Sequence, residues 1–197
     1  MTVIVDYGAG NLRSVQNALE ELGASYLVTS GSRTVSRANK LILPGVGCFG
    51  QMMSALDKLG LREILTQRIY AGVPFLGICV GLQCLFEGSE ESPESTGLAI
   101  FPGLVKRFAG NARIPHMGWN SLSPVQPCEL TEGLPGDTFM YFAHSYYAPV
   151  TTATAAICTY IHPYSAILHD RNIYAVQFHP EKSGSAGLRV MKNFLDL

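Results

Sequence analysis

Gly77-Ile78-Cys79-Val80-Gly81 follows directly on the apolar run Val73-Pro74-Phe75-Leu76. Glycines on both sides of the cysteine allow a strained strand-to-helix turn that presents the central side chain above the end of a sheet. Free cysteines usually serve as small buried hydrophobes, and Cys48, Cys84, Cys128 and Cys158 read that way. Cys79 differs in standing at a strand end, before a helix expected from about Val80 whose N-terminal dipole favours a thiolate. Far downstream, Phe178-His179-Pro180-Glu181 supplies an imidazole and a carboxylate two residues apart. Together these residues have the makings of a Cys-His-Glu hydrolase.

The first half of the chain alternates strand and helix patterns. Residues 2–5 form a short β-branched run; Leu12, Val15, Leu19 and Leu22 recur at helical spacing and are closed by Gly23; residues 26–28 and 41–43 are again short and apolar. Residues 49–70 read as a long helical region interrupted at Gly60, and 75–78 as the strand feeding the turn at Cys79. That order predicts a parallel sheet with crossover helices. From residue 98 to 176, short runs at 98–101, 104–108, 139–142, 155–160 and 173–176 are separated by turn residues, which predicts smaller antiparallel pieces added at one edge of the sheet. Residues 186–195 make a closing helix. The expected fold class is α/β, an open, mostly parallel sheet flanked by helices with antiparallel strands added in the second half. No repeat or linker divides it, so residues 1–197 are expected to form one domain.

A net charge of −1, with no basic cluster beyond Lys106-Arg107, argues against nucleic acid as a partner. Residues 70–86 are apolar but broken by Gly72, Pro74, Gly77, Gly81 and Gln83, which excludes a membrane span there. Five cysteines without paired spacing, in a chain that opens without a basic n-region, point to a reduced, cytoplasmic protein. Neither Cys-x-x-Cys nor His-Glu-x-x-His occurs, so no metal and no cofactor are expected. His116, His144, His162 and His169 read as packing or hydrogen-bonding residues.

Two further glycine-rich turns follow strands. Asp6-Tyr7-Gly8-Ala9-Gly10-Asn11 has Arg13 where a dinucleotide fingerprint needs its third glycine, which leaves Asn11 as a possible helix cap. Pro44-Gly45-Val46-Gly47 lacks the Lys and Ser/Thr of a phosphate loop. It reads either as an ordinary tight turn or as a source of backbone N–H groups for a developing oxyanion.

Gly77-Ile78-Cys79-Val80-Gly81-Leu82-Gln83, Pro44-Gly45-Val46-Gly47 and Gln177-Phe178-His179-Pro180-Glu181 resemble the three signature segments of class I, triad-type glutamine amidotransferases. Asp6 to Asn11, Arg113-Ile114-Pro115-His116-Met117-Gly118-Trp119-Asn120, Tyr141-Phe142-Ala143-His144-Ser145-Tyr146-Tyr147 and Lys182-Ser183 are similar, more narrowly, to the glutaminase subunits of imidazole glycerol phosphate synthases, which serve histidine biosynthesis. The resemblance implies a flavodoxin-like sheet and a triad of Cys79 as nucleophile, His179 as acid and base, and Glu181 as its orienting group. It implies an oxyanion hole from Val80 and from the Gly45-Val46-Gly47 turn, with Gln83, Ser145 and Tyr146 holding the amino-acid end of glutamine. It further implies a heterodimer with a (β/α)₈-barrel cyclase subunit, docked over Asn11, Pro115, Met117, Trp119, Tyr141 and Lys182. A glutaminase serving another ammonia-using synthase, and a non-catalytic binding module of the same fold, are the alternatives.

Overall fold

The computed structural model describes residues 1–8 and 11–197. Ala9 and Gly10 of the first glycine-rich turn lie outside the described residues. Strand β1 (Thr2–Val5) is β-branched at every position and wholly buried, as befits a strand covered on both faces. Helix α1 (Leu12–Glu21) turns Val15, Ala18 and Leu19 inward, and Gly23 accepts a φ of 65° just past its end. There follow β2 (Tyr26–Thr29), the single turn α2 (Ser32–Val35), β3 (Lys40–Gly45), α3 (Phe49–Lys58), α4 (Leu61–Tyr70), β4 (Phe75–Cys79) and α5 (Val80–Gln83). The break between α3 and α4 falls at Gly60, with φ 64°. The second half adds β5 (Phe86–Ser89), β6 (Phe101–Arg107), β7 (His116–Ser121), β8 (Ser123–Pro124), β9 (Phe139–His144), β10 (Tyr146–Tyr147), β11 (Thr154–Tyr160), β12 (His162–Asp170), β13 (Ile173–Val176) and α6 (Gly184–Asp196).

The main sheet has the order β2-β1-β3-β4-β13-β12-β11-β8. Pairing is parallel from β2 through β13 and antiparallel among β13, β12, β11 and β8. The expected edge of antiparallel strands is therefore present. Two pieces depart from that expectation: β10-β6-β5 and the ribbon β7-β9 form small sheets of their own. Residues 98–101 are not a strand. Ala99 takes φ 52° and breaks the extended backbone, and the strand instead runs from Phe101 to Arg107, its register against β5 shifting between Phe86 and Gly88. Strand β5, whose Phe-Glu-Gly-Ser sequence lacks β-branched residues, and the short α2 carried no periodic signal. No helix of the described residues is long and apolar enough to cross a membrane.

Two registers position the site. Gly45 pairs with Cys79 across β3 and β4, and Val176 pairs with Ile78 across β13 and β4. The turn after β4 is pressed hard against both neighbours. A Cβ on Gly81 would stand 2.0 Å from Leu43 O, and one on Gly45 would stand 2.5 Å from Gly81 N. Glycine is needed at these positions because the backbones themselves are in contact.

Candidate active site

Cys79 ends β4 with φ 55° and ψ −109°, a backbone state that a non-glycine residue adopts only when its surroundings impose it. Val80 opens the single turn α5, so its N–H belongs to the helix-start donors that no intrahelical acceptor satisfies. Beyond β13 the chain carries His179 to the same end of the sheet. Its N–H donates to Tyr141 O at 2.9 Å, and its carbonyl accepts from Ser183 Oγ at 2.7 Å, so both ends of the residue are tied down. His179 Nδ1 donates to Glu181 Oε1 at 2.9 Å, with both side chains almost wholly buried. Glu181 Oε2 has no partner among the described residues. Burial by itself lowers the His179 pKa, but hydrogen bonding and charge interaction with Cys79 and Glu181 outweigh it and raise the pKa. With Nδ1 committed to Glu181, Nε2 is the nitrogen left to exchange a proton with Cys79.

These groups meet at a cleft of about 210 Å³, lined among others by Val46, Gly47, Cys79, Val80, Gln83, Ser145, Tyr146, His179 and Lys182. Glu181 stands behind His179, and Gly45 lies under the Val80-Gly81 turn; neither forms its wall. The Val46 N–H is not free to meet a ligand: it donates to the Tyr7 hydroxyl at 3.3 Å. Burial pushes that phenol's pKa up to about 12, which keeps it protonated. Gln83 Nε2 donates both to Tyr146 O at 2.9 Å and to Gln177 Oε1 at 3.1 Å, leaving only its oxygen for a ligand.

Comparison with known proteins identifies the lineage of this arrangement. The profile of the family described as glutamine amidotransferase class-I matches residues 3–197. The chain belongs to the class-I glutamine amidotransferases. It is 48% identical over 198 residues to the imidazole glycerol phosphate synthase subunit HisH of Methanothermobacter thermautotrophicus, covering 100% of this chain and 98% of that protein. Identity to the HisH subunit of Syntrophotalea carbinolica is 45% over 206 residues, with both chains covered completely. A crystal structure described as glutamine amidotransferase is similar in fold, with a TM-score of 0.77 at 21% identity, covering 98% of this chain and 97% of that one.

The sequence pattern assigned no role to Glu91, which lines this amidotransferase cleft, or to Gln177, which is buried behind it against Cys79. Glu91 forms part of the wall, its Oε2 accepting from the N–H of Phe49 at 2.7 Å. In the sequence it sits in a run of Gly, Ser, Glu and Pro that reads as a solvated turn. Gln177 lies within the quoted His-Pro-Glu segment, where only position distinguishes it. Beside the cleft, Met117 and Trp119 are 62% and 56% exposed on β7. Trp119 sets its ring edgewise to Tyr141 at 6.1 Å, and Lys182 Nζ stands 5.9 Å from the centre of the Tyr141 ring. Pro115 is half-buried just before β7; Asn11 is exposed before α1 and makes no side-chain cap there. Away from the cleft, ligand-type atoms of Cys128, Glu129 and His169 lie within 4.8 Å of one another, a grouping that no sequence spacing announced. Protein contacts already engage it: Tyr174 OH donates to Glu129, and His169 Nε2 pairs with Arg171 O.

Proposed function

We propose that this chain is the glutaminase subunit of an imidazole glycerol phosphate synthase, releasing ammonia from glutamine and passing it to a (β/α)₈-barrel cyclase subunit that makes imidazole glycerol phosphate and AICAR. The observation that carries the reading is the buried His179–Glu181 pair, 2.9 Å apart, whose imidazole lines the cleft with Cys79 at the strained end of β4. The 48% identity to a HisH subunit narrows the acceptor. The family match over residues 3–197 supports treating 1–197 as a single amidotransferase domain. Cysteines left unpaired throughout support a reduced, cytoplasmic setting.

In this reading the Cys79 sulfur attacks the side-chain amide carbon of glutamine, and the Val80 N–H stabilises the oxyanion that forms. A second donor from the 45–47 turn becomes available when the Val46 peptide leaves Tyr7. Protonated His179 gives its Nε2 proton to the departing nitrogen, so ammonia leaves and a γ-glutamyl thioester remains. The neutral imidazole then takes a proton from water, whose oxygen attacks the thioester carbon to release glutamate and the thiolate. Glu181 holds the ring and stabilises its charged form at each stage. Gln83 Oε1, the Glu91 carboxylate and the Ser145-Tyr146 main chain offer acceptors for the substrate's ammonium group and anchors for its amino-acid end. Free ammonia becomes ammonium in neutral water and ceases to be a nucleophile, which is why a docked acceptor is part of the reading. Met117, Trp119, Tyr141 and Lys182, linked through the Tyr141 ring and strand β7, are suited to that docking, and Asn11 and Pro115 are assigned to it by the resemblance alone.

The test pairs this chain with a cyclase subunit. Cys79→Ser is expected to abolish glutamine-dependent synthesis while ammonia-dependent synthesis continues. Retention of more than about a tenth of the glutaminase rate, only ~1.4 kcal/mol of barrier, would remove Cys79 as nucleophile.

A further inference from the structure

Gln177 is wholly buried beside the reacting sulfur. The register that sets Val176 opposite Ile78 carries Gln177 alongside Cys79, and its Nε2 stands 3.7 Å from Cys79 Sγ. Which end of this amide meets the sulfur is decided elsewhere. The main-chain oxygen of Tyr146 can only accept, so the Gln83 atom 2.9 Å from it is the nitrogen. That nitrogen's second proton points at Gln177 from 3.1 Å, so the atom it meets is the oxygen. The Gln177 NH₂ group is thereby turned onto the sulfur.

The same carbonyl fixes a second branch. Tyr146 O lies 2.8 Å from His144 Nδ1, which must carry the proton, leaving His144 Nε2 as an acceptor. His116 Nδ1 faces that acceptor at 3.3 Å. Asn120 Nδ2, oriented by Thr159 O at 3.1 Å, donates to His116 Nε2 at 3.4 Å. A hydrogen-bonded chain therefore runs from β7 to the nucleophile, with the Tyr164 hydroxyl beside it at 3.2 Å from His116 Nδ1 and 3.3 Å from His144 Nε2; the Tyr146 carbonyl fixes the part nearest the sulfur.

We propose that Gln177 is a positioning residue for glutamine hydrolysis: its amide donates a hydrogen bond to the Cys79 sulfur, holding it in its attacking orientation, and Gln83 and the Tyr146 carbonyl keep that amide the right way round. The proposal rests on Cys79 being the nucleophile. An N–H bond to a charged acceptor is about twice as strong as one to a neutral acceptor. The donor therefore favours the ionised sulfur over the thiol and relaxes once the sulfur is acylated. An apolar side chain at 177 removes this donor and also leaves the second N–H of Gln83 unpaired in a buried site.

The experiment follows the rate at which iodoacetamide alkylates Cys79, located by peptide mass mapping, across a pH series in the wild-type chain, Gln177→Met and Gln177→Glu. Steady-state glutamine kinetics are measured with the cyclase subunit present. Loss of the donor is expected to move the rise of the alkylation curve about one pH unit upward and to lower kcat about tenfold, with KM for glutamine within about twofold. Gln177→Glu keeps the shape and the acceptor for Gln83 but sets a carboxylate against the sulfur, so its curve should move upward at least as far as that of Gln177→Met. Alkylation curves that superimpose on wild type in a folded variant overturn the proposal. Should neither variant fold, the side-chain amide resonances of Gln177 in the wild-type chain must follow the alkylation curve with pH, and resonances that stay still overturn it. Failure of the Cys79 assignment itself would show separately, as glutaminase activity surviving Cys79→Ser.

Discussion

The Val46 N–H donates to the Tyr7 hydroxyl at 3.3 Å, and the same hydroxyl reaches Val46 O at 3.5 Å. One phenol thus braces Val46, whose turn lines the cleft, and occupies an N–H that the proposed mechanism would need at the oxyanion. Tyr7→Phe removes the brace without opening a large cavity. The expected outcome is a several-fold rise in glutamine hydrolysis by the free subunit, within the roughly 10²–10³ that one oxyanion donor supplies. The rate with the cyclase subunit bound should change little. A basal rate identical to wild type would show that Tyr7 does not restrain the turn.

Gly81→Ala is expected to abolish glutaminase activity and to destabilise the fold. The new methyl would stand 2.0 Å from Leu43 O, a backbone atom of β3 that cannot yield without breaking the register with β4. Overpacking of this kind costs about 1–3 kcal/mol, readable as a lowered urea midpoint.

His179→Ala and Glu181→Gln separate the two halves of the buried pair. Removing the imidazole deletes proton transfer and should stop turnover. Replacing the carboxylate keeps a side chain of the same shape against Nδ1 and should leave measurable activity, because an orienting group can cost less than the base it orients. Negligible effects of both changes on single-turnover rates would refute the triad.

Acid should destabilise the protein through His116 and His144. Burial lowers the His116 pKa to about 4 and the His144 pKa to about 3, from an ordinary value of 6.5. Above 6.5 neither the folded nor the unfolded chain holds these protons, so stability is unaffected there. Below it the unfolded chain takes up protons that the folded chain refuses, so stability falls as pH drops from 6.5 toward 4. Urea midpoints should decline across that window, and the ring resonances of both histidines should not titrate within its upper half. Titration of either ring near 6.5 in the native protein would contradict this.

Trp119→Ala should weaken binding of the cyclase subunit by about 2 kcal/mol or more, the scale of an interface aromatic, measured by calorimetry. With Trp119 56% exposed, thermal stability of the free chain should hardly change. Unaltered affinity would place the docking surface elsewhere.

Local sequence by itself determined the strand-turn-helix at Cys79, the alternation that makes a parallel sheet, and the pairing of His179 with Glu181, since each depends on residues close together in the chain. Glycine spacing, β-branched runs and a two-residue separation are constraints that a backbone must obey wherever the segment ends up. What only the tertiary structure decided was the orientation of groups that belong to different segments. Nothing near Val46 indicates that its N–H meets Tyr7, 39 positions away. Nothing near Gln177 indicates that its nitrogen faces Cys79, 98 positions away, because a carbonyl on a third segment settles that through Gln83. Glu91 likewise becomes a cleft wall only when its loop folds over the start of α3. Hydrogen-bond direction in a buried site is satisfied collectively, so it becomes defined only once all the partners have been packed together.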